Sequence, residues 1–133
     1  MKELTVKSSR SDEIVDVTRR IEALLPAGLE EGICLIYCPH TTAAVTVNEN
    51  YDADVKHDVL EKLDRLIPKN ESFYQHEEGN SVAHLKTILA GPSLTVPFRR
   101  GRLDLGTWQG IYFCEFDGPR TRTLKLYFLK TEA

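Results

Sequence analysis

The sequence predicts one α+β domain, a largely antiparallel β-sandwich that carries about three helices. Strand-like and helical segments alternate through the first two thirds of the chain, whereas the last third contains strand-like segments joined by turns. This arrangement favours antiparallel pairing over a doubly wound parallel sheet. A length of 133 residues, with 41% hydrophobic and 28% charged residues, is that of an ordinary globular domain spanning residues 1–133.

The N-terminal part is predicted to contain three strands and one helix. Lys2–Lys7 is a predicted strand, and a helix is predicted from the N-cap Ser11 to Pro26. The apolar residues of that helix follow helical spacing: Ile14, Val17, Ile21, Leu24 and Leu25. The β-branched and aromatic run 32–38 predicts a buried strand, and 43–49 is predicted as its hairpin partner.

Two further helices are predicted before the strand-rich end. The second runs through residues 52–67, and Asp52 is placed to cap it. The third runs from Ser81 to Ala90 and ends at Gly91–Pro92. Their predicted inward-facing residues are Val55, Val59, Leu63 and Leu66 in the second helix, and Val82, Leu85, Ile88 and Leu89 in the third.

The last third predicts strands at 93–98, near Leu103, at 108–116 and at 121–129, with a turn at 117–120. Strand alternation puts Glu115 on the same face as Ile111 and Phe113. If that face is buried, the carboxylate must be paired, bound to a metal or linked to a proton. If the face is exposed, the placement has no functional meaning.

Charge and cysteine content restrict the class of protein. A formal net charge of −3 argues against a general nucleic-acid or membrane-surface binder. No apolar run reaches the roughly 20 residues that span a bilayer, and no apolar stretch follows the charged N-terminus as a signal peptide requires. Cys34, Cys38 and Cys114 are odd in number and lie in strand-like segments, so we expect reduced core thiols and a cytoplasmic location.

Three of the four histidines could form a site. Helical phase turns His57 towards solvent, whereas His40 ends a strand, His76 lies in a polar loop and His84 borders a buried helical stripe. Three neutral imidazoles with one open position are what a catalytic zinc-type centre requires. The alternative is that each histidine is a separate residue satisfied by hydrogen bonds.

Other polar residues also have two interpretations. Asp52 is either a helix cap or a member of a carboxylate pair with Glu49. Arg102 follows one glycine turn, and Arg120 and Arg122 flank another. Such arginines either bind phosphate or carry solvated charge at a sheet edge. The glycines do not form a phosphate-binding loop, and no known nucleophile motif is present.

Four segments of the chain resemble the YjbQ family, also known as the secondary thiamine-phosphate-synthase family. They are CPHTTAAVTVNENYD (38–52), HEEGNSVAHLK (76–86), GPSLTVP (91–97) and GRLDLGTWQGIYFCEFDGPR (101–120). The resemblance implies a mixed α+β sandwich that forms a homotrimer. It also implies weak synthase activity, in which a pyrimidine pyrophosphate and a thiazole phosphate give thiamine phosphate and pyrophosphate.

The resemblance carries over the three histidines and the expected partners, and the residues described above complete the predicted site. The predicted site consists of the metal ligands His40, His76 and His84, the catalytic carboxylates Glu115 and Asp52, and the substrate-binding residues Asn80, Arg102 and Arg120. The expected cofactor is a divalent metal, zinc by its ligands, or magnesium if it arrives with pyrophosphate. The expected partners are two further copies of the chain and a small phosphorylated metabolite. Two alternatives remain open: a metal-assisted hydrolase of a phosphorylated metabolite, and a non-catalytic trimer that binds a metal or such a metabolite.

Overall fold

A computed structural model describes residues 1–132 as an assembly of strands and helices. Its strands are β1 (Lys2–Lys7), β2 (Glu13–Asp16), β3 (Glu31–Tyr37), β4 (Ala43–Glu49), β5 (Ser93–Arg99), β6 (Arg102–Leu103), β7 (Gln109–Glu115) and β8 (Thr121–Lys130). Its helices are α1 (Thr18–Glu22), α2 (Ala53–Leu66) and α3 (Ser81–Ala90).

The strands form two antiparallel sheets. One sheet has the order β1-β8-β3-β5-β6, and the other has the order β2-β7-β4. Each pair of neighbouring strands is antiparallel. The predicted α+β class, with antiparallel strands and three helices, is therefore confirmed.

The central strand of the smaller sheet, β7, is buried on both faces. Ile111 and Phe113 pack into the core between the two sheets, whereas Tyr112 and Cys114 pack on the opposite side, with Leu63 of α2 and residues of α3. Full burial of one such aliphatic or aromatic side chain contributes about 1.5–3 kcal/mol. The molecule therefore has three layers: the larger sheet, the smaller sheet, and the pair α2 and α3.

The first predicted helix begins too early. Residues 13–16 form strand β2, in which Ile14 lies opposite Cys114 of β7, and only Thr18–Glu22 is helical. The hydroxyl of Ser11 donates to its neighbour Asp12 and caps no helix. The β-branched pair at 14 and 15 fits both helical spacing and a strand, and pairing with the buried strand β7 decides between them.

The predicted hairpin of β3 with β4 is also wrong. β3 pairs with β5 and β8 in the larger sheet, whereas β4 pairs with β7 in the smaller one. The intervening residues 38–42 carry the chain from one sheet to the other. Local alternation identifies a strand but does not identify its partner, which is why the sequence did not reveal this crossing.

Helix α3 has the predicted bounds but buries a different face. Its buried residues are Ala83, Lys86 and Thr87, and three of the residues predicted to face inward, Leu85, Ile88 and Leu89, are exposed. Lys86 has a side chain only 3% exposed and binds Asp12 at 2.7 Å and also Asp64. Burial alone would lower the pKa of Lys86, but these carboxylates outweigh it and raise the pKa. A buried lysine paired with two partly exposed carboxylates, together with Ala83, thus docks this helix in place of the predicted apolar stripe.

The remaining predictions about helices and cysteines agree largely with the structure. Asp52 caps α2 by accepting a hydrogen bond from the backbone N–H of Asp54 at 2.9 Å, although Leu66 is exposed rather than inward-facing. The cysteines are free and buried, and burial raises the pKa of the thiols to about 11 for Cys34 and Cys38 and to about 12 for Cys114. Among residues 1–132, no helix has the length and apolar character to cross a membrane.

Candidate functional site

One cleft of about 400 Å³ brings together the three histidines that the sequence singled out, and we call it the histidine cleft. A strand end supplies His40, a loop supplies His76, and α3 supplies His84. The cleft is lined by Pro39, His40, Thr41, Thr42, His76, Glu78, Asn80, His84, Asp117, Arg120 and Arg122.

The ring of His40 occupies the place where β3 would continue alongside β8. Regular pairing of the two strands ends at Tyr37 and Lys125, and Nε2 of His40 lies 3.0 Å from the nitrogen and 3.1 Å from the oxygen of Thr123. Burial lowers the pKa of His40, and the nearby Arg122 guanidinium lowers it further. The neutral ring has two tautomers. With the proton on Nε2 it donates to the Thr123 carbonyl and leaves the Nδ1 lone pair for a ligand, whereas with the proton on Nδ1 its Nε2 accepts from the Thr123 N–H.

His76 and His84 form a close pair on the other side of the cleft. Their ring centroids are 5.2 Å apart, and their planes make an angle of 79°. Two imidazoles bound at ~2.1 Å to one tetrahedral zinc ion would also have centroids about 5 Å apart. The donor atoms therefore suit zinc. However, no three His, Cys, Asp or Glu side chains within the described part of the chain converge as a complete metal-binding set.

A buried ion pair forms the floor of the histidine cleft. Glu115 is 0% exposed and Arg122 is 6% exposed. The guanidinium donates from Nε to Oε1 at 2.9 Å and from Nη2 to Oε2 at 2.6 Å, which is the strong two-pronged geometry of an arginine with a carboxylate. Nη2 also donates to the Thr42 hydroxyl at 2.8 Å, so the pair fixes the turn that carries His40.

Both oxygens of Glu115 are fully engaged. Besides Arg122, Oε1 accepts from the Ser8 hydroxyl at 2.7 Å, and Oε2 accepts from the backbone N–H of Asp117 at 3.0 Å. Burial alone would raise the pKa of Glu115, but the hydrogen bonds from Arg122 and Ser8 outweigh it and lower the pKa. A side chain with no exposed surface cannot contact a substrate. Glu115, the predicted catalytic carboxylate, is therefore held by Arg122, Ser8 and Asp117 and is not exposed to a ligand in the cleft.

Two of the predicted substrate-binding residues lie at the rim of the cleft. Asn80 donates from Nδ2 to Asp117 at 2.8 Å, and Arg120 donates from Nη2 to the same oxygen at 3.0 Å. The Oδ1 atom of Asn80 is buried and has no hydrogen-bond partner among the described residues. The rim thus presents a half-exposed guanidinium next to the histidines, whereas the unpaired carbonyl oxygen of Asn80 is buried.

The structure places two predicted site residues elsewhere. Asp52 caps α2 and does not line the histidine cleft, so of the alternatives for this residue the helix cap is the one observed. Arg102 lies exposed on β6, opposite Arg99 at the edge of the larger sheet, and is also absent from the cleft lining. Neither position supports the catalytic or substrate-binding role predicted for it.

Known proteins similar to this chain identify its family. Residues 2–131 match the family described as UPF0047 protein YjbQ-like. The UPF0047 protein YugU of Bacillus subtilis is 53% identical over 124 residues, which cover 92% of this chain and 94% of YugU. The UPF0047 protein MJ1081 of Methanocaldococcus jannaschii is 51% identical over 118 residues, covering 88% and 85% of the two chains.

The chain belongs to the YjbQ family.

Solved structures of other YjbQ-like proteins share this fold. The crystal structure of an uncharacterized conserved protein of the yjbq/upf0047 family from Clostridium acetobutylicum has a TM-score of 0.92 and 45% identity, with 97% of this chain and 100% of that chain covered. The conserved hypothetical protein TT1486 from Thermus thermophilus also has a TM-score of 0.92, with 40% identity and coverage of 97% and 100%.

Sequence reasoning missed Glu78, Asp117, Thr42 and the role of Arg122. Arg122 carried a detectable signal in this YjbQ-family chain. It lies on the inward face of β8, as Glu115 does on the inward face of β7. An inward-facing arginine and an inward-facing glutamate, one short turn apart, predict each other as partners. Thr42 and Asp117 carried no such signal, because their roles depend on how the two turns meet.

The charges of the histidine cleft do not suit an anion by themselves. Two guanidinium groups, Arg120 and Arg122, face the carboxylates of Glu78 and Asp117 in the lining and that of Glu115 behind it. With neutral imidazoles the formal charge of these groups is negative. A phosphorylated ligand therefore needs an additional cation in this cleft, because like charges at close range repel strongly in a partly dehydrated site.

The buried pair of Glu115 and Arg122 predicts that a small substitution at Glu115 has a large effect on stability. Glu115→Gln should lower the free energy of unfolding by about 3–5 kcal/mol, because it leaves the buried charge of Arg122 without its counter-ion. The double variant Glu115→Gln/Arg122→Met should be destabilised by less than the sum of the two single variants. Urea denaturation of the four proteins measures these changes, and additive losses would contradict the pairing.

The pair of Glu115 and Arg122 also predicts the pH range in which it stabilises the folded protein. Because the fold depresses the pKa of Glu115, the contribution is complete above about pH 4.5, the ordinary value for this carboxyl, and is lost as pH falls through the lower folded value. The stability advantage of the wild type over Glu115→Gln should therefore shrink below pH 4.5 in the same denaturation series.

Proposed function

We propose that the histidine cleft binds a divalent metal and, with it, a phosphorylated metabolite. The observation that supports this most directly is that His40, His76 and His84 line one cleft in which the two guanidinium groups are balanced by the carboxylates of Glu78 and Asp117. Imidazoles favour zinc among the metals available to proteins, and a magnesium ion could instead arrive with a pyrophosphate. Closing the site would require the three imidazoles to approach one another more closely than they do here.

The reaction that we propose is the condensation implied by the family resemblance. The nitrogen of a thiazole phosphate attacks the methylene carbon of a pyrimidine pyrophosphate, a C–N bond forms, the C–O bond breaks, and pyrophosphate leaves with the electron pair. When bound, the metal supplies a Lewis acid that neutralises charge on phosphoryl oxygens. Arg120 has a half-exposed side chain in the lining and is placed to bind a phosphoryl oxygen.

The buried pair of Glu115 and Arg122 serves this chemistry only indirectly. It fixes Thr42, and thereby the turn from Pro39 to Thr42 that carries His40. Preorganised groups stabilise a developing charge better than mobile ones, because they need no rearrangement during the reaction. Its role is to keep the floor of the cleft rigid.

A specific observation favours a second candidate, a binding protein without catalysis. The two carboxylates predicted to act on substrate, Glu115 and Asp52, both lie outside the reach of a ligand in the cleft. A condensation driven by positioning and charge neutralisation does not need them, whereas a hydrolase needs a group to activate water. Retention of metal and phosphate without turnover would support the binding protein.

Metal analysis tests the proposed site. The wild type should contain about one zinc ion per chain, His84→Ala should lose it, and His57→Ala, an exposed histidine of α2 outside the cleft, should retain it. Pyrophosphate binding by calorimetry should weaken at least about tenfold when the metal is removed, because the remaining charge of the cleft repels anions. Thiamine phosphate formation should then be absent from His84→Ala.

Two results would contradict this site: wild-type protein that holds no metal even after incubation with zinc, or a His84→Ala variant that binds the metal as tightly as His57→Ala does. Pyrophosphate binding that does not depend on metal would contradict the charge argument separately.

We also propose that the chain forms a homotrimer through the outer face of the larger sheet. This face carries the exposed side chains of Tyr37, Tyr127 and Leu129. Leu35 and Ile33 lie directly opposite Tyr127 and Leu129 on neighbouring strands, so the apolar side chains are contiguous. Apolar patches of this kind on a sheet are typical of interfaces between chains.

Sedimentation analysis tests the assembly. The wild type should sediment with the mass of three chains of 15.1 kDa, and Tyr127→Glu should shift it towards the mass of one chain, because a charge would be buried in the interface. Tyr51→Glu, an exposed tyrosine at the start of α2, is the matched control and should leave the mass unchanged. A monomeric wild type, or a Tyr127→Glu trimer, would refute this interface.

A further inference from the structure

The stretch between β4 and α3 forms one segment without a buried residue. It comprises residues 51–79, which contain α2 and the polar loop that carries His76. Every residue in it is exposed or half-buried, including all 14 residues of α2. The elements on either side of it, β4 and α3, both contribute buried residues to the core. We call residues 51–79 the α2 segment.

The hydrogen bonds of the α2 segment lie almost entirely within it. Its backbone groups bond to one another in the helix and at its turns, and no backbone hydrogen bond joins it to a strand. Among the described residues, one side-chain hydrogen bond connects it to the rest of the chain, from Lys86 of α3 to Asp64. The edge-to-face contact of Tyr51 with Trp108, at the start of the segment, joins two exposed rings.

The packing beneath α2 is incomplete. Leu63 packs against Tyr112, and the Lys56 ammonium lies over the same ring, 5.6 Å from its centroid. A cavity of about 200 Å³ lies between the helix, α3 and the smaller sheet, and a cavity of about 390 Å³ lies between the helix and residues 10–14. Well-packed protein interiors have few voids larger than a water molecule, so α2 gains little dispersion energy from the body of the fold.

The ion pair with Lys86 permits the α2 segment to move without damage to the core. Asp64 is 60% exposed, so water screens its attraction to the ammonium. Lys86 is only 3% exposed, but it also binds Asp12 at 2.7 Å. When Asp64 moves away, the buried ammonium therefore keeps a carboxylate partner. Segments with so few buried contacts open locally, at a lower free energy than the whole fold.

One of the three cleft histidines lies on the α2 segment. His76 is in its loop, whereas His40 is bonded to Thr123 of β8 and His84 lies on α3 beside the buried Ala83. The body of the fold therefore holds His40 and His84, and His76 moves with the segment. The three imidazoles do not converge as a complete metal-binding set in the described residues. Movement of the α2 segment is the displacement that brings His76 towards the other two.

We propose that the α2 segment opens and closes as one unit beside the histidine cleft, and that a metal ion bound through His76 holds it closed. The closing part of this inference rests on the proposed metal site, whereas the opening follows from the packing of α2 alone. A ligand that binds only the closed arrangement stabilises that arrangement by mass action. Metal binding at the cleft thereby orders a helix that does not line the cleft.

Hydrogen exchange followed by mass spectrometry, on the purified full chain, tests the opening. In the metal-free protein the amides of α2 should exchange at least about tenfold faster than those of β7, because they do not require global unfolding. Asp64→Asn should speed the exchange of α2 several-fold and leave β7 unchanged. The matched control is Asp58→Asn, which removes the same charge from α2 at a residue bonded only to its neighbour His57, and it should change neither.

The same measurement with zinc tests the closing. Zinc should slow exchange throughout α2 at least about tenfold in the wild type and leave β7 unchanged. His76→Ala should abolish this protection. His57→Ala, which removes an exposed histidine of the same segment outside the cleft, should retain it.

The outcomes separate the opening, the closing and the metal site. Amides of α2 that exchange only as slowly as those of β7 in the metal-free protein would overturn the opening. Zinc that binds by metal analysis but leaves the exchange of α2 unchanged would overturn the closing while the metal site stands. Protein that holds no zinc would overturn the proposed site and the closing with it, and the metal-free exchange of wild type and Asp64→Asn would still decide the opening.

Discussion

The buried pair of Glu115 and Arg122 is the interaction on which the arrangement of this molecule depends. Glu115 ends the central strand of the smaller sheet, and Arg122 lies in β8 of the larger sheet, so their two hydrogen bonds tie the sheets together at one end of the sandwich. Thr42 and Ser8 add the turn before β4 and the end of β1. Few other residues can replace either partner of this buried pair, because removing one partner leaves an unpaired charge in the core.

The pair of Glu115 and Arg122 also affects the charge of the histidine cleft above it. With Arg122 paired to Glu115 and Arg120 to Asp117, neither guanidinium adds an unpaired positive charge, and only the half-exposed Arg120 is accessible to a phosphate. The three imidazoles beside them remain electron-pair donors, and the pKa of His40 is lowered by burial and by Arg122. On the function proposed above, the metal would bind first and the phosphate second, because the fold pairs both arginines with carboxylates.

The sequence predicted the elements of this structure better than it predicted their partners. Most strand and helix bounds followed from periodicity, apart from residues 13–16, which form β2 and not the start of a helix, and the motifs around His76 and His84 indicated the histidine grouping. Pairing and burial depend on contacts between distant segments, so the hairpin of β3 with β4 and the inward face of α3 were wrong. Lys86 shows why: a lysine on a helix is usually solvated, and only the meeting of two distant carboxylates makes its burial favourable. Glu115 was recognised as either paired or functional, and only its neighbours in space decide between them.

Anomalous X-ray scattering at the zinc edge, from crystals grown with zinc and pyrophosphate, would locate the metal and the phosphate together. We expect one strong peak per chain within bonding distance of His76 and His84, with His40 as the third ligand and phosphoryl density on the side of Arg120. A peak only at exposed side chains such as His57, or pyrophosphate in the histidine cleft without any metal peak, would contradict it.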